Sequence, residues 1–322
     1  MKKRNTIFAV TSLLVVAVAL LFNPAAYSYL PEFATKTVVA HWTSAPTWRI
    51  NPSTNSNIVL SGSNVTSVIT SSFAAWKAAP NVSGVVSGVT QGSTTTVAAH
   101  NNSDGINLIC FVCSSNDFGS GGDTLAITYT SYNSSTGQIM DADLLFNPAD
   151  TFTDSGSSCP SGATCGDLQT IATHEIGHFL GLDHSAVTSA AMYPFAPDLE
   201  HNLSSDDVAG ISKSYPSSAP TVQIGSISGT ISNSSGAGIC GAHVFADSNT
   251  AAASYPSPIR KSPIATMTNS DGTYTITGLP ADSYTVTAEP LDGPVDHTNI
   301  DTYTSTICGS STLPTNFTTR QH

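Results

Sequence analysis

Between residues 65 and 79 the apolar side chains Val65, Val68, Ile69, Phe73 and Trp76 recur at helical spacing, and the run stops before Pro80. That pattern predicts a packed amphipathic helix with Trp76 in the core. Strand patterns follow at residues 83–90, 106–112, 124–132 and 138–146. A second helix is expected over about 167–180. A third is expected over 205–215, where Ser204 can cap the Asp207 amide and Asp206 and Asp207 complement the positive helix end. Beyond Pro216-Ser217-Ser218-Ala219-Pro220, which reads as a short, semi-stiff connector, only strand patterns remain: 223–232, 238–246, 265–268, 273–277 and 284–288. Asn269-Ser270-Asp271-Gly272 reads as a hairpin turn between two of them, and a small β-sandwich is the natural outcome.

The first residues change the picture of where the chain works. Lys2, Lys3 and Arg4 precede a mostly apolar run over 7–22, and Ala26-Tyr27-Ser28 is a small-x-small cleavage site, so 1–28 reads as a secretory signal with the mature chain starting near Tyr29. A membrane anchor is the competing reading, because an apolar stretch of that length approaches the roughly 20 residues that span a bilayer. The expected layout is a signal at 1–28, a first domain at 29–216, a linker at 217–220 and a β-sandwich at 221–322. Net charge is -12 and becomes three units more negative without Lys2, Lys3 and Arg4. Such a surface repels nucleic acid, and no nucleic-acid partner or stable membrane insertion is expected. All six cysteines lie in the mature part. Disulfides are the default in an oxidising compartment, and nearest-neighbour pairing (Cys110 with Cys113, Cys159 with Cys165, Cys240 with Cys308) is the simplest of the fifteen possible connectivities. A four-cysteine zinc site or a redox-active C-x-x-C at Cys110 and Cys113 are the alternatives.

The chemistry lies in His174-Glu175-Ile176-Gly177-His178-Phe179-Leu180-Gly181-Leu182-Asp183-His184. Positions i and i+4 share one helix face, so His174 and His178 can present ring nitrogens to one ion. Gly181 can take the left-handed conformation that ends a helix and swing His184 back as third ligand. Three neutral nitrogens leave a fourth position for water, the arrangement of catalytic zinc, and Glu175 stands where it can act as general base. Asp183 is expected to support the turn or to accept a hydrogen bond from a ligand histidine. His41, His100, His201, His243, His297 and His322 show no ligand spacing.

In these residues the chain resembles the metzincin metallopeptidases, and within them the matrixins. Ser185 follows the motif, Ala191-Met192-Tyr193-Pro194 resembles the Met-turn beneath the three histidines, and 203–211 resembles the start of the last helix. Asp123-Thr124-Leu125-Ala126 and Met140-Asp141-Ala142-Asp143 resemble the fourth and fifth strands. The resemblance implies one catalytic zinc. It also implies an edge strand at Leu125 and Ala126 that binds an extended peptide by strand addition, and a pocket walled by Pro194 and Phe195. Ile127 and Ile139 stand where a second, structural zinc would need histidines, so none is expected. Asp141 matches a calcium ligand but Leu144 replaces its acidic partner, which leaves calcium open. Ala196 stands where the family usually has a tyrosine, and Tyr193 is not expected to bind zinc. With room for only about ten residues between signal and first strand, and no Cys among them, activation by a cysteine switch is not expected. The second half, with Ser270-Asp271-Gly272-Thr273-Tyr274 and Gly278-Leu279-Pro280, resembles carboxypeptidase regulatory-like sandwiches, which commonly serve as spacers or binding appendages.

The expected protein is thus a metzincin-like α/β domain with a twisted, mostly parallel sheet and an active-site helix, followed by an all-β sandwich. It would act as a secreted, monomeric zinc endopeptidase on extracellular proteins, with surface attachment left open. The competing reading is an adhesive or binding protein on a vestigial protease fold, against which the intact Glu175 and three histidines argue.

Overall fold

The computed structural model describes residues 30–113, 115–118, 124–195, 201–250 and 255–322; the expected signal at 1–28, Asp123 and Ala196 lie outside these residues. Three helices organise the first half: α1 (Val65–Lys77), α2 (Leu168–Phe179) and α3 (Ser205–Ser214). Asn64 opens α1 with a capping box shared with Ser67, and the helix buries Val65, Val68, Ile69, Phe73 and Trp76. Those are the residues whose spacing predicted it.

These helices flank a five-stranded sheet built from β1 (Thr47–Asn51), β2 (Thr90–Gln91), β3 (Asn107–Cys110), β4 (Ala126–Tyr132) and β5 (Ile139–Phe146) in the order β2-β1-β3-β5-β4. All neighbours run parallel except β4, which pairs antiparallel with β5 at the edge. The expected mostly parallel sheet is therefore present. The first strand, whose bounds no sequence pattern marked, is β1, which buries Trp48 and Ile50 on one of its faces. The segment 83–90, expected as a strand, instead forms a helical turn at Gly84–Ser87 followed by the short β2. Ser83 caps the Val85 amide, and the turn drives Val86 fully into the core, so burial outweighs the strand preference of two adjacent valines.

Aromatic packing fixes α1 against α2. Phe73 meets Phe179 edge-on with centroids 5.4 Å apart and stacks on Trp48 at 5.0 Å. Trp76 Nε1 donates to the Thr173 carbonyl at 2.8 Å and Trp42 Nε1 to that of Phe179 at 2.7 Å, so both buried indoles satisfy their N–H. The three disulfides pair Cys110 with Cys113, Cys159 with Cys165 and Cys240 with Cys308, as nearest-neighbour pairing predicted.

The second half contains β6 (Ile224–Thr230), β7 (His243–Ser248), β8 (Ile264–Met267), β9 (Thr273–Pro280), β10 (Tyr284–Glu289) and β11 (Arg320–Gln321). They form a β6-β9 ribbon and a four-stranded sheet in the order β8-β7-β10-β11. The turn at 269–272 closes through Asn269 N–H to the Thr273 carbonyl, with Gly272 at φ +80. It does not make a hairpin, because β8 pairs with β7 while β9 pairs with β6. The chain changes sheets at this corner.

The two halves share one hydrophobic core, which runs from Val208, Ala209 and Ile211 of α3 into Val244, Tyr255, Ile264, Ile276 and Leu279. Backbone bonds cross the boundary: Ser205 N–H to the Arg260 carbonyl and Arg260 N–H to that of Leu203, both 2.9 Å. The segment read as a semi-stiff connector is pinned by Asn81, whose backbone carbonyl accepts from the Ser217 amide at 2.8 Å and whose Oδ1 accepts from the Thr221 and Val222 amides just beyond it at 2.8 and 2.9 Å.

Candidate metal centre and cleft

Helix α2 presents His174 and His178 one turn apart, capped by Asp167, whose carboxylate accepts from Thr170 N–H at 2.8 Å. His201, which shows no ligand spacing in the sequence, braces this cap through a 2.7 Å contact to Asp167. The helix stops at Leu180, and Gly181 follows at φ +83, the left-handed turn anticipated for it. A side chain there would also collide with the Ala40 carbonyl. The reversal carries His184 back toward the helix, so that ring nitrogens of His174, His178 and His184 all lie within 4.8 Å of one another. His178 Nε2 is 3.1 Å from His174 Nε2 and 3.3 Å from His184 Nε2.

The other ring nitrogens decide what this cluster is for. His174 Nδ1 contacts the Ala191 carbonyl at 2.8 Å, His178 Nδ1 that of Leu182 at 2.7 Å and His184 Nδ1 that of Asn299 at 2.6 Å. A carbonyl oxygen only accepts, so each Nδ1 must carry the ring proton and each Nε2 must carry a lone pair. Three lone pairs facing one another repel unless a cation lies between them. Nitrogens held about 2.0–2.1 Å from a tetrahedral zinc stand about 3.3 Å apart, which His178 Nε2 matches to both of its partners, with ring nitrogens of all three within 4.8 Å of one another. Burial first, and then the neighbouring His184, lower the pKa of His174 to about 3, so its ring stays neutral as a ligand must be. The residues therefore fit zinc.

Met192 lies fully buried beneath α2, and a Cβ at Gly177 would strike its sulfur. Asp207 at the N-terminus of α3 holds this turn. Its carboxylate accepts from Ala191 N–H at 2.8 Å, Met192 N–H at 3.1 Å and Ser204 N–H at 2.7 Å. The aspartates were expected to serve the helix end; the larger role of Asp207 is to tie that end to the turn under the histidines.

An open cleft of about 550 Å³ runs over the cluster, lined along β4 from Thr124 to Thr130. Leu125, Ala126, Pro194 and Phe195 all line it, together with Ile171 and Tyr193. The Leu125 carbonyl accepts from Asn147 N–H at 2.8 Å and so faces inward. By the alternation of an antiparallel ladder, the backbone groups of Ala126, Thr128 and Thr130 face the open edge. Glu175 is buried beside the cleft. Burial pushes its carboxyl up to about 7, partly offset by the Thr128 hydroxyl, which donates to Oε2 at 2.7 Å.

Several cleft residues were missed in the sequence, among them Thr128, Glu32, Asn299 and Thr302. Thr128 shares the strand face of Ala126, a signal that alternation offered. Glu32, whose carboxylate accepts from Thr130 Oγ1 at 2.8 Å, and Asn299 and Thr302 of the second half carried no such signal. Asp183 Oδ1 accepts from the His184 amide at 2.7 Å and supports the turn; the ring of His184 bonds Asn299 instead. Asp141 accepts from Gly105 N–H at 2.7 Å through Oδ2, while Leu144, where a second acidic ligand would stand, is fully buried and apolar.

A mixed sheet with one antiparallel edge strand, a helix bearing two of three convergent histidines and a buried methionine turn beneath them define the metzincin class. A matrixin profile matches residues 41–216, more than half the chain, and the chain belongs to the matrixin family. A carboxypeptidase regulatory-like domain profile matches residues 226–299. Over 51 residues, 15% of this chain and 14% of the relative, it is 55% identical to metalloendoproteinase 1-MMP of Arabidopsis thaliana. Over 45 residues, 14% of this chain and 10% of the relative, it is 49% identical to karilysin of Tannerella forsythia. Over 48 residues, 14% of this chain and 18% of the relative, it is 52% identical to matrilysin of Rattus norvegicus. The chain thus matches less than a fifth of the length of each of these three proteins.

Proposed function

We propose that this protein is a secreted zinc-dependent endopeptidase, with His174, His178 and His184 as the metal ligands and Glu175 as general base. The observation that carries this reading is the proton placement: all three rings spend Nδ1 on a carbonyl and turn Nε2 to one point, with a carboxylate alongside. Bound zinc supplies Lewis acidity, polarising the scissile carbonyl and lowering the pKa of water to about 7. Glu175 takes a proton from the attacking water and returns it to the leaving amine. Thr128 fixes the carboxylate that does this. An extended peptide lies antiparallel to β4, paired with the outward backbone groups of Ala126 and Thr128, and one side chain enters the pocket between Leu125, Ile171, Pro194 and Phe195.

Extracellular protein is the proposed substrate class. The signal-like start of the chain and three disulfides support export. Among the described residues no helix is long and apolar enough to cross a membrane. The deciding experiment is digestion of a mixed peptide library by the mature protein, with and without a zinc chelator, reading cut sites by mass spectrometry. Chelator-sensitive cuts at internal bonds are expected; a folded, zinc-loaded protein that cuts nothing would overturn the assignment.

A further inference from the structure

His174 and His178 are oriented from within the matrixin part, by the carbonyls of Ala191 and Leu182. His184 is not. Its ring proton goes to the Asn299 carbonyl, 115 positions away in the C-terminal half, at 2.6 Å. Asp183, its neighbour in sequence, has Oδ1 4.0 Å from that ring nitrogen and already engaged by the His184 backbone amide.

The carbonyl is held in place by its own surroundings. Asn299 closes a turn on Asp296: its N–H donates to the Asp296 carbonyl at 3.1 Å, and its Oδ1 accepts from the Asp296 N–H at 2.9 Å. The next residue, Ile300, is buried in a second apolar cluster with Tyr303, Ile307 and Met267 of the C-terminal half and Leu30 and Phe33 of the N-terminal segment. Tyr303 donates to the Thr268 carbonyl, and the Cys240–Cys308 disulfide fastens the end of the segment. That N-terminal segment is itself tied to the turn before His184, through Asp183 N–H to the Leu30 carbonyl at 2.8 Å and Glu32 N–H to that of Gly181 at 3.0 Å. One continuous frame therefore joins the C-terminal domain to the third histidine. Asn299 and Thr302 also form part of the cleft wall itself.

We propose that the C-terminal domain is a structural part of the metal centre: the Asn299 backbone carbonyl is a positioning group for His184 and sets the affinity for zinc. The proposal rests on the reading of His174, His178 and His184 as ligands. It extends that site beyond the matrixin match, into a domain whose resemblance suggested a spacer. With the carbonyl in place, the ring is locked as the Nδ1–H tautomer and its Nε2 lone pair is aimed; without it, either tautomer and a range of ring angles compete.

The test uses the full mature chain and two readouts. Zinc affinity is measured by competition with a chromogenic chelator for the unmodified protein, Asn299→Ala, His184→Ala and Asp292→Ala, the last an exposed residue of the same loop. In parallel, nitrogen-15 NMR of the zinc-loaded protein follows the His184 Nδ1–H. Asn299→Ala, which releases the turn on Asp296, is expected to weaken zinc binding about 10- to 100-fold, and the His184 Nδ1 proton to exchange faster while those of His174 and His178 stay put. Asp292→Ala should match the unmodified chain in both. Zinc binding that is lost in His184→Ala but unchanged in Asn299→Ala, with an unmoved resonance, would overturn the role of Asn299 and leave the metal site standing. An unmodified chain that binds no zinc would overturn both. Should Asn299→Ala fail to fold, the unmodified protein decides alone: a His184 Nδ1 proton exchanging as fast as one open to solvent rules the proposal out.

Discussion

The Glu175 carboxylate is held by the Thr128 hydroxyl and is not one of the three proposed ligands, so its replacement separates the proposed catalysis from metal binding. Glu175→Ala is expected to keep zinc while turnover falls about 10²- to 10⁴-fold, because only the proton transfer is lost; parallel measurement of kcat and zinc content checks this, and unchanged kcat would refute the role. Gly181 is the opposite case, a residue with no functional atoms whose backbone places His184. At φ +83, with the Ala40 carbonyl where a side chain would go, Gly181→Ala is expected to cost about 2 kcal/mol or more in thermal or denaturant unfolding and to weaken zinc binding as His184 shifts. Loss of stability without any change in zinc affinity would show that the turn does not position the ligand.

At the scale of elements, the N-terminus of α3 works as a clamp. Asp207 satisfies two amides of the methionine turn and that of the helix cap Ser204, while its neighbour Asp206 reaches the other way, accepting from Ser185 Oγ at 2.6 Å and from Ala265 N–H of β8 at 2.8 Å. Burial is the main reason that the Asp206 carboxyl is raised from 3.8 to about 7, with the charge of Asp207 adding to it. The folded chain thus holds this proton more tightly than the unfolded chain. The stabilisation is complete below the ordinary carboxylate range and is lost as pH rises from about 4 to about 7. Asp206→Asn removes the ionisation and keeps the shape. Its Tm relative to the unmodified protein is therefore expected to climb between pH 5 and pH 8 (roughly the window of the shift); a difference that stays flat with pH would exclude a raised Asp206.

Taken as a whole, the molecule does not divide where its composition does. A chain ending at Ser218 would bare Val208, Ala209 and Ile211 and leave the carboxylate of Asp206 without Ala265 and the ring of His184 without Asn299. If the second half were an appendage, that truncate would still cleave small peptides. The shared core predicts instead that it aggregates or unfolds well below the Tm of the full chain and holds zinc poorly, as calorimetry and metal analysis of the purified truncate can establish. Full peptide cleavage by a stably folded truncate would return the sandwich to the rank of a spacer.

Sequence by itself determined what depends on local geometry. The helical spacing of Val65 to Trp76, the i, i+4 pair His174 and His178, the glycine that must turn at Gly181 and the pairs Cys110–Cys113 and Cys159–Cys165 were readable, because each is set by residues near one another in the chain, whereas the methionine below the histidines was legible only through the family resemblance. Tertiary structure alone decided which atoms hold the site. The acceptors for the three histidine rings are backbone carbonyls of Ala191, Leu182 and Asn299, and every residue type carries a carbonyl, so no side-chain pattern marks them. The Gly84–Ser87 turn and the corner between β8 and β9 escaped local reading for a related reason: there the burial of Val86 and the choice of pairing partner are settled by the rest of the fold, and local preference yields to them.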